Sequence, residues 1–259
     1  MALIGLTSLS GSPGVTTTAV AWATCSQNPT LLIEADLTGG SPILAGRFRS
    51  ALPHERSLLA LATYDAQAST ADVLREQALA LPGAVADSKV VPGLAEQSQV
   101  GAMTGLWPDL GLALQELSTQ QGVDVLVDLG RLSPSSPWSL VGHLEQLLVL
   151  APATLPGLIT LHNNLPGVAN RLTQTALGVV LVAPAREGFG VKEASQVLDP
   201  VPVLAAVAHL PKPAAAYSLG WPQATKAGLR ALHKELYRLQ DASAQHRTAH
   251  TRMLKGQSA

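Results

Sequence analysis

The sequence predicts a doubly wound α/β fold, in which helices cover both faces of a mostly parallel sheet. Short runs rich in Val, Leu and Ile recur without polar alternation, which is typical of strands buried on both faces. Segments with helical spacing separate these runs, so consecutive strands are expected to form right-handed βαβ units. The most distinctive polar motifs follow the ends of the apolar runs, where ligands bind in such sheets.

Each predicted element rests on one of these patterns. The apolar runs predict seven strands, at residues 2–9, 30–35, 89–94, 124–130, 146–152, 178–184 and 202–208. Helical spacing and capping signals predict helices at residues 16–27, 70–80, 108–121 and 154–172. Residues 39–99 are the least regular and are expected to place helices and loops over the sheet. A last helix over residues 223–239 ends the predicted domain, residues 1–239, and residues 240–259 are expected to form a basic, flexible tail.

Composition limits the kind of protein. The chain has 259 residues, of which 47% are apolar and only 3% aromatic, so Leu, Val and Ala must build the core. The single cysteine, Cys25, excludes an internal disulfide framework and a cysteine-based zinc site. No secretion signal is visible, and no apolar segment of about 18 residues runs without interruption. A cytoplasmic protein is therefore expected.

Residues 8–23, SLSGSPGVTTTAVAWA, have the composition of a phosphate-binding loop that leads into a helix. A P-loop holds phosphate oxygens with its amides, bridges phosphates with a lysine and holds Mg²⁺ with a hydroxyl. If Gly14 is aligned with the second glycine of that motif, Thr16 supplies the hydroxyl and Val15 stands at the lysine. The loop therefore has the glycines and the hydroxyl of a P-loop, but it lacks the positive charge of the lysine. Gly11 and Gly14 also suit an ordinary tight strand–helix turn.

Acidic residues follow two of the predicted strands. TLLIEADLTGG places Glu34 and Asp36 at the end of the second strand, and DVLVDLG places Asp128 at the end of a later one. With the loop, this order resembles the ParA/MinD family of P-loop ATPases, whose loop is similar to KGGVGKTTTAVNLA and whose second strand ends in D-x-D. The resemblance covers most of residues 1–239. Taken alone, the two aspartates also suit helix caps or acceptors for strand-end amides.

The resemblance implies a P-loop NTPase-like three-layer sandwich and gives roles to particular residues. Asp36 corresponds to the acid that orients the attacking water, here a vestigial catalytic residue, and Thr16, Asp36 and Asp128 would hold Mg²⁺. The implied nucleotide-binding residues lie in the loop and after a late strand: Ser10, Gly11, Ser12, Pro13, Gly14, Val15, Thr16, Thr17, Pro211 and Lys212. Pro184 and Arg186 are further candidates for contact with the base, with an ordinary surface loop as the alternative.

Both lysines of the family's loop are replaced in this chain. Val15 stands at the lysine that bridges phosphates, and Ser10 stands at the signature lysine. In the family that second lysine reaches across a nucleotide-sandwich homodimer, a contact that Ser10 cannot make. Because phosphoryl transfer depends on stabilising charge, we expect a degenerate loop that binds ATP or ADP with Mg²⁺ weakly and turns it over inefficiently or not at all.

The leading hypothesis is a pseudo-ATPase that acts as a spatial organiser or assembly scaffold for the protein partners of a larger machine. Its lysine-poor loop is similar to those of the TadZ/CpaE-like branch, which localises pilus and secretion machinery, and of septum-site regulators. The alternative is a DNA-binding chromosome or plasmid partition ATPase that works with a centromere-binding partner. An amidotransferase-type ligase on the same scaffold has little support, because it also needs the loop lysine.

The terminal helix carries a basic stripe. Residues 223–259 contain seven basic residues against two acidic ones, a net charge of +5 on a chain whose net charge is −1. Four of them recur every fourth position and so share one side of a helix: Lys226, Arg230, Lys234 and Arg238. The stripe suits a solvated face, or non-specific attraction to DNA phosphates or anionic lipid, and DNA or a protein partner fits better than lipid. The tail lacks the apolar face of a membrane helix, so membrane association is expected only indirectly.

Overall fold

The computed structural model describes residues 1–52, 54–64, 67–183, 188–220 and 224–257. These residues form eight strands: β1 Leu3–Ser8, β2 Thr30–Glu34, β3 Leu79–Ala80, β4 Lys89–Val91, β5 Asp124–Arg131, β6 Gln146–Pro152, β7 Ala176–Ala183 and β8 Val203–Ala208. They also form eleven α-helices: α1 Val15–Cys25, α2 Pro42–Ala45, α3 Ala60–Thr63, α4 Thr70–Gln77, α5 Val100–Met103, α6 Trp107–Gln121, α7 Trp138–Val141, α8 Leu155–Ala169, α9 Val191–Leu198, α10 Pro211–Ser218 and α11 Lys226–Gln257.

One sheet contains all eight described strands. Its order is β3-β4-β2-β5-β1-β6-β7-β8, and every pairing is parallel except that of β3 with β4. The central strand β1 therefore lies between β5 and β6. Since parallel strands end at the same edge, the loops after β1, β2, β5, β6 and β8 gather there. The predicted doubly wound α/β fold is confirmed.

Helices cover both faces of the sheet because successive side chains of a strand point to opposite sides. Along β6, Leu148 and Leu150 belong to the core that α1, α10 and α11 cover. The alternate residues Leu147 and Val149 belong to the cores of the opposite layer, which includes α6, α8 and α9. All four are almost completely buried. Burial on both faces explains why the strand sequences are continuously apolar.

Two parts of the chain differ from the prediction. The helix expected over residues 70–80 ends earlier, at Gln77, and Leu79–Ala80 pairs antiparallel with β4 as an edge strand. The flexible tail expected over residues 240–259 is wrong for its described part, because α11 is one helix from Lys226 to Gln257. No helix among the described residues is long and apolar enough to cross a membrane.

A buried polar group anchors the second half of α11. Gln146, at the start of β6, is fully buried, and its Oε1 accepts hydrogen bonds from Ser243 Oγ at 2.5 Å and Arg247 Nη1 at 3.2 Å. Gln146 Nε2 lies 2.9 Å from His246 Nδ1. Because a buried amide is costly without partners, these bonds dock the helix on the sheet. Because this half of α11 docks through polar side chains, its sequence has no apolar stripe from which a docked helix could be predicted.

Candidate functional site

The loop between β1 and α1 needs glycine at two positions. Gly11 has φ +64° and Gly14 has φ +93°, a region that residues with a Cβ rarely enter. The Gly14 carbonyl accepts the Thr18 amide at 2.8 Å, which is the first bond of α1. The amides of the first turn, Val15 to Thr17, therefore have no partner within the helix and point out of its N-terminus. Such amides and the helix dipole favour an anion.

Asp128 is completely buried beside this helix end. Its Oδ1 accepts the Gly130 amide at 3.0 Å, whereas Oδ2 has no hydrogen-bond partner among the described residues. Loss of hydration raises the pKa of Asp128 from its ordinary value of 3.8 to about 7, and the nearby Thr16 side chain opposes part of that rise. Asp128 Oδ2 is therefore a buried oxygen without a hydrogen-bond partner, in a carboxyl group next to Thr16. It is suited to bind a ligand or a proton.

Asp36 lies at the rim of the same region. It is half-buried, and its Oδ1 accepts the Thr38 amide at 2.9 Å and the Thr38 hydroxyl at 2.8 Å. Its carboxyl packs against Gly130, where an added Cβ would lie 2.2 Å from Asp36 Oδ2. Asp36, which follows β2, is therefore in direct contact with Gly130 near the end of β5.

Glu34, the other acid of the second strand, does not line the site. It is 1% exposed and accepts hydrogen bonds from the Gly93 amide at 2.8 Å, the Ile43 amide at 3.1 Å and the Ser41 hydroxyl. Burial raises its pKa, and these three donors oppose the rise. Its contacts tie the segments after β2 and β4 together, which is a structural role.

A cavity of about 550 Å³ opens between the loop and the ends of β2 and β5. Thr16, Thr17, Asp36, Gly130 and Arg131 are among the residues that line it. The rest of its lining is mostly small and hydroxyl-bearing: Ser8, Gly11, Ser12, Gly14, Val15, Leu37, Thr38, Gln97, Ser133, Ser135 and Ser136. We call this the hydroxyl cavity. Its wall offers amides, hydroxyls and one guanidinium, which suits an anionic group that can accept many hydrogen bonds.

A second cavity, of about 500 Å³, lies on the other side of the loop. It shares Ser12, Gly14 and Thr17 with the hydroxyl cavity, and the rest of its lining is largely apolar. That lining comes from the loop, from the ends of β6, β7 and β8 and from α10 and α11, including Pro211 and Leu232. We call this the apolar cavity. Together the two form a cleft that is polar at one end and apolar at the other, with the loop between them.

Eight of the ten predicted nucleotide-binding residues line at least one of the two cavities: Gly11, Ser12, Pro13, Gly14, Val15, Thr16, Thr17 and Pro211. Val15 is only 6% exposed and is also part of the core beneath α1. Ser10 and Lys212 line neither cavity: Ser10 is half-buried in the loop, and Lys212 is exposed at the start of α10. Pro184 and Arg186 lie outside the described residues.

The basic stripe of α11 faces away from the sheet. Lys226, Arg230, Lys234 and Arg238 are all exposed, and Arg238 forms an ion pair with Glu235 at 2.9 Å. The opposite side of the helix packs its leucines into the core, and two of them line the apolar cavity: Leu232 and Leu236. The stripe is therefore an outer surface of the same helix that closes the candidate cleft.

Comparison with solved structures identifies the fold. A ParA family ATPase from Chlorobium tepidum matches with a TM-score of 0.71 over 92% of this chain and 98% of its own, at 13% sequence identity. The chain has the fold of the ParA/MinD ATPases. At this identity the likeness concerns the fold alone, and no protein-family model and no curated protein sequence matches the chain.

Two other similar structures of this ParA/MinD fold contain a nucleotide. The septum site-determining protein MinD from Pyrococcus horikoshii, in complex with Mg-ADP, has a TM-score of 0.66 and 15% identity over 94% of this chain and 97% of its own. McdA from Cyanothece, in complex with ATP, has a TM-score of 0.67 and 19% identity over 94% of this chain and 96% of its own.

The structure also brings residues to the site that the sequence did not single out. Gly130 and Arg131 come two and three positions after Asp128, and Ser133, Ser135 and Ser136 follow them in GRLSPSS. The available signal is a basic residue, Arg131, at the end of β5 and a cluster of hydroxyl residues directly after it. Since loops after parallel strands carry binding residues, that cluster could have been added to the candidates.

Proposed function

We propose that this chain is a ParA/MinD-like protein that holds ATP or ADP weakly across the β1–α1 loop. The observation that carries the proposal is the position of this loop between a hydroxyl-lined cavity and an apolar one. Phosphates suit the amides and hydroxyls of the first, and a purine suits the apolar surfaces of the second. Ser12, Gly14 and Thr17 contribute to both cavities, so one elongated ligand could contact both.

Mg²⁺ fits the residues beside the loop. Asp128 presents a buried oxygen without a partner, and Thr16 lies close to it. The described residues contain no cluster of three or more His, Cys, Asp or Glu side chains that could hold a metal ion by themselves. Mg²⁺ commonly takes one or two carboxylates and completes its shell with water and phosphate. We propose that Thr16 and Asp128 hold it with Asp36 at the rim, where it would offset phosphate charge.

Hydrolysis is proposed to be inefficient because the loop supplies no cation. Val15 packs into the core in place of the lysine that bridges phosphates, and Ser10 lines neither cavity. Losing one charge-stabilising donor typically costs about 10²–10³ in rate. Hydrolysis faster than roughly a few turnovers per minute, abolished by Asp36→Ala, would overturn the pseudo-ATPase part of the proposal.

The proposed role is that of a spatial organiser or assembly scaffold, in which a bound nucleotide supports a conformation that protein partners recognise. Support comes from the fold, which this chain shares with a septum site-determining protein and with McdA. Pilus or secretion machinery and septum-site regulation are the candidate settings. A homodimer and an indirect association with membrane belong to the same proposal, as does a cytoplasmic location.

Calorimetric titration tests the nucleotide site. We expect the wild type to bind Mg-ATP and Mg-ADP, and Thr16→Val to weaken binding only when Mg²⁺ is present. Thr119 is exposed on α6 and far along the chain from the loop, so Thr119→Val is a matched control with unchanged binding. A wild type that binds neither nucleotide at millimolar concentration, with or without Mg²⁺, would remove the proposal.

DNA binding by the basic stripe is the second candidate function, as in a partition ATPase with a centromere-binding partner. It is favoured by the exposure of Lys226, Arg230, Lys234 and Arg238 along one outer face. Duplex DNA binding at low salt should weaken strongly in the double variant Arg230→Glu, Lys234→Glu, because phosphate contacts dominate such binding. Arg252→Glu, on the far half of α11, removes the same type of charge as a control. Equal binding by wild type and double variant would argue against this function.

A further inference from the structure

The hydroxyl cavity has one positively charged side chain among the described residues that line it. The loop contributes amides and hydroxyls, and Asp36 contributes a carboxylate, whereas Arg131 contributes a guanidinium. Phosphate groups bind most strongly through hydrogen bonds in which the donor is also charged. Arg131 is therefore the cavity residue whose chemistry can replace the charge that the loop has lost.

A β-bulge places Arg131 beside the loop. β1 and β5 pair in regular register as far as Leu6 and Asp128. A regular ladder would then pair Ser8 with Gly130, but Ser8 pairs with Arg131 instead. β5 therefore contains one extra residue at this point, and Gly130 adopts the left-handed conformation with φ +57°. Bulges of this kind change the direction of a side chain next to functional sites. Here the bulge pairs Arg131 with the residue from which the loop departs.

Contacts on both sides fix the bulge. Thr7 Oγ1 donates to the Gly130 carbonyl at 2.9 Å, and the Leu132 amide donates to the Ser8 carbonyl at 2.9 Å. The Asp36 carboxyl occupies the space where a side chain at Gly130 would lie. The backbone at Arg131 is therefore held between two strands and an acid of the site, so the starting point of its side chain is well defined.

The Arg131 side chain itself is free. It is exposed and forms no hydrogen bond or ion pair with another described residue, whereas Arg75 and Arg238 pair with acids on their own helices. A guanidinium is a planar fork that can donate two parallel hydrogen bonds to one phosphate. The Arg131 guanidinium, which has no partner among the described residues and lies at the wall of the hydroxyl cavity, is therefore suited to bind a phosphate.

We infer that Arg131 binds the phosphates of the nucleotide and supplies, from β5, positive charge that the β1–α1 loop lacks. This inference rests on the proposed nucleotide site. It specifies the ligand as a nucleoside diphosphate or triphosphate, since a neutral nucleoside has no group for the guanidinium. Arg131 is a binding residue in this scheme, and it contributes affinity rather than a chemical step.

Titration of Arg131→Gln with Mg-ADP, Mg-ATP and adenosine tests the inference. We expect a loss of roughly 10- to 100-fold in affinity for both phosphorylated ligands, the usual range for a charged hydrogen bond. Adenosine binding, followed by ligand-observed NMR, should not change. Arg131→Lys keeps the charge without the fork and should give an intermediate loss. Arg252→Gln is the matched control, because Arg252 is exposed on the half of α11 that docks at the start of β6.

The outcomes separate this inference from the proposal beneath it. If the wild type binds nucleotide and Arg131→Gln binds it equally well, the role of Arg131 is wrong and the nucleotide site stands. If the wild type binds no nucleotide, both fail. If Arg131→Gln loses adenosine as well, or unfolds at a lower temperature than Arg252→Gln, Arg131 supports the structure instead of binding phosphate. Arg131→Lys then repeats the comparison with the charge retained: Mg-ADP affinity above that of Arg131→Gln supports the role, and affinity as low as that of Arg131→Gln would overturn it.

Discussion

Asp36 and Gly130 interlock at the edge of the candidate site. The Asp36 carboxyl lies so close to Gly130 that an added Cβ would come within 2.2 Å of Oδ2. Gly130 also has φ +57°, and its amide donates to Asp128 Oδ1 at 3.0 Å. One glycine therefore positions both acids, because its conformation turns the amide towards Asp128 and its missing side chain makes room for Asp36.

Gly130→Ala should damage both the fold and the site. A methyl group here would enter a disfavoured backbone region and collide with Asp36, so we expect a loss of roughly 1–3 kcal/mol in the free energy of unfolding. Urea denaturation measures this loss. Gly101→Ala is the matched control, because an added Cβ at Gly101 would meet open space and its φ is not positive. The double variant Asp36→Ala, Gly130→Ala should recover part of the loss, and strictly additive effects would show that the two residues do not interlock.

Asp128 should make the stability depend on pH. Burial raises its pKa from 3.8 to about 7, so between about pH 4 and pH 7 the folded chain keeps a proton that the unfolded chain has lost. The folded state binds more protons in this window, and the stability contributed by Asp128 therefore falls as the pH rises from about 4 to about 7. Asp128→Asn, which stays neutral, should be more stable than the wild type at pH 8 by a few kcal/mol.

Urea midpoints at several pH values between 4 and 8 measure this effect as the difference between wild type and Asp128→Asn. Subtraction removes the contributions of groups that do not interact with Asp128, whereas Glu34 and Asp36, whose charges help to raise the pKa of Asp128, contribute to the difference. Asp241 is exposed on α11, so Asp241→Asn should follow the wild-type profile. Parallel profiles for Asp128→Asn and wild type would contradict the raised pKa.

The second half of α11 should depend on its buried anchor. Ser243 is fully buried and donates to Gln146 Oε1 at 2.5 Å, so Ser243→Ala removes a donor from a buried amide. We expect a loss of about 1–3 kcal/mol in the free energy of unfolding. Thr248 is exposed on the same helix, and Thr248→Ala should change stability by less than about 0.5 kcal/mol. Similar effects of the two substitutions in urea denaturation would mean that the helix is not docked in this way.

Elements defined by local pattern could be predicted from the sequence. Strands such as β6 and β7 are continuously apolar because helices cover both faces, and that pattern is visible in one dimension. Asp36 and Asp128 could be assigned to one edge because parallel strands end together. Thr16 could be placed beside Asp128 because the loop has a recognisable order of glycines and threonines.

Features that depend on register or on distant polar partners could not be predicted. Arg131 reaches the site through a bulge that exists only in the pairing of β5 with β1. β3 is two residues long, and its pairing with β4 leaves no periodic signal. The sequence favours a flexible tail at the end of α11 because the anchor of that segment, Gln146, lies about a hundred positions earlier in the chain. Each of these features is decided by tertiary contacts rather than by local propensity.

A lysine in place of Val15 should strengthen the proposed nucleotide site. Val15 is 6% exposed, packs in the core and lines the hydroxyl cavity. In Val15→Lys the alkyl stem can keep most of the apolar contacts while the ammonium group reaches the cavity. We expect roughly 10-fold tighter binding of Mg-ATP and, because the charge would also stabilise phosphoryl transfer, hydrolysis about 10²-fold faster than in the wild type.

Val15→Met separates charge from side-chain length, because it has a similar unbranched stem without an ammonium group. It should bind and hydrolyse Mg-ATP like the wild type, whereas adding Asp36→Ala to Val15→Lys should remove the gained hydrolysis and keep most of the gained affinity. If Val15→Lys and Val15→Met behave alike in both measurements, the missing lysine is not what limits this site.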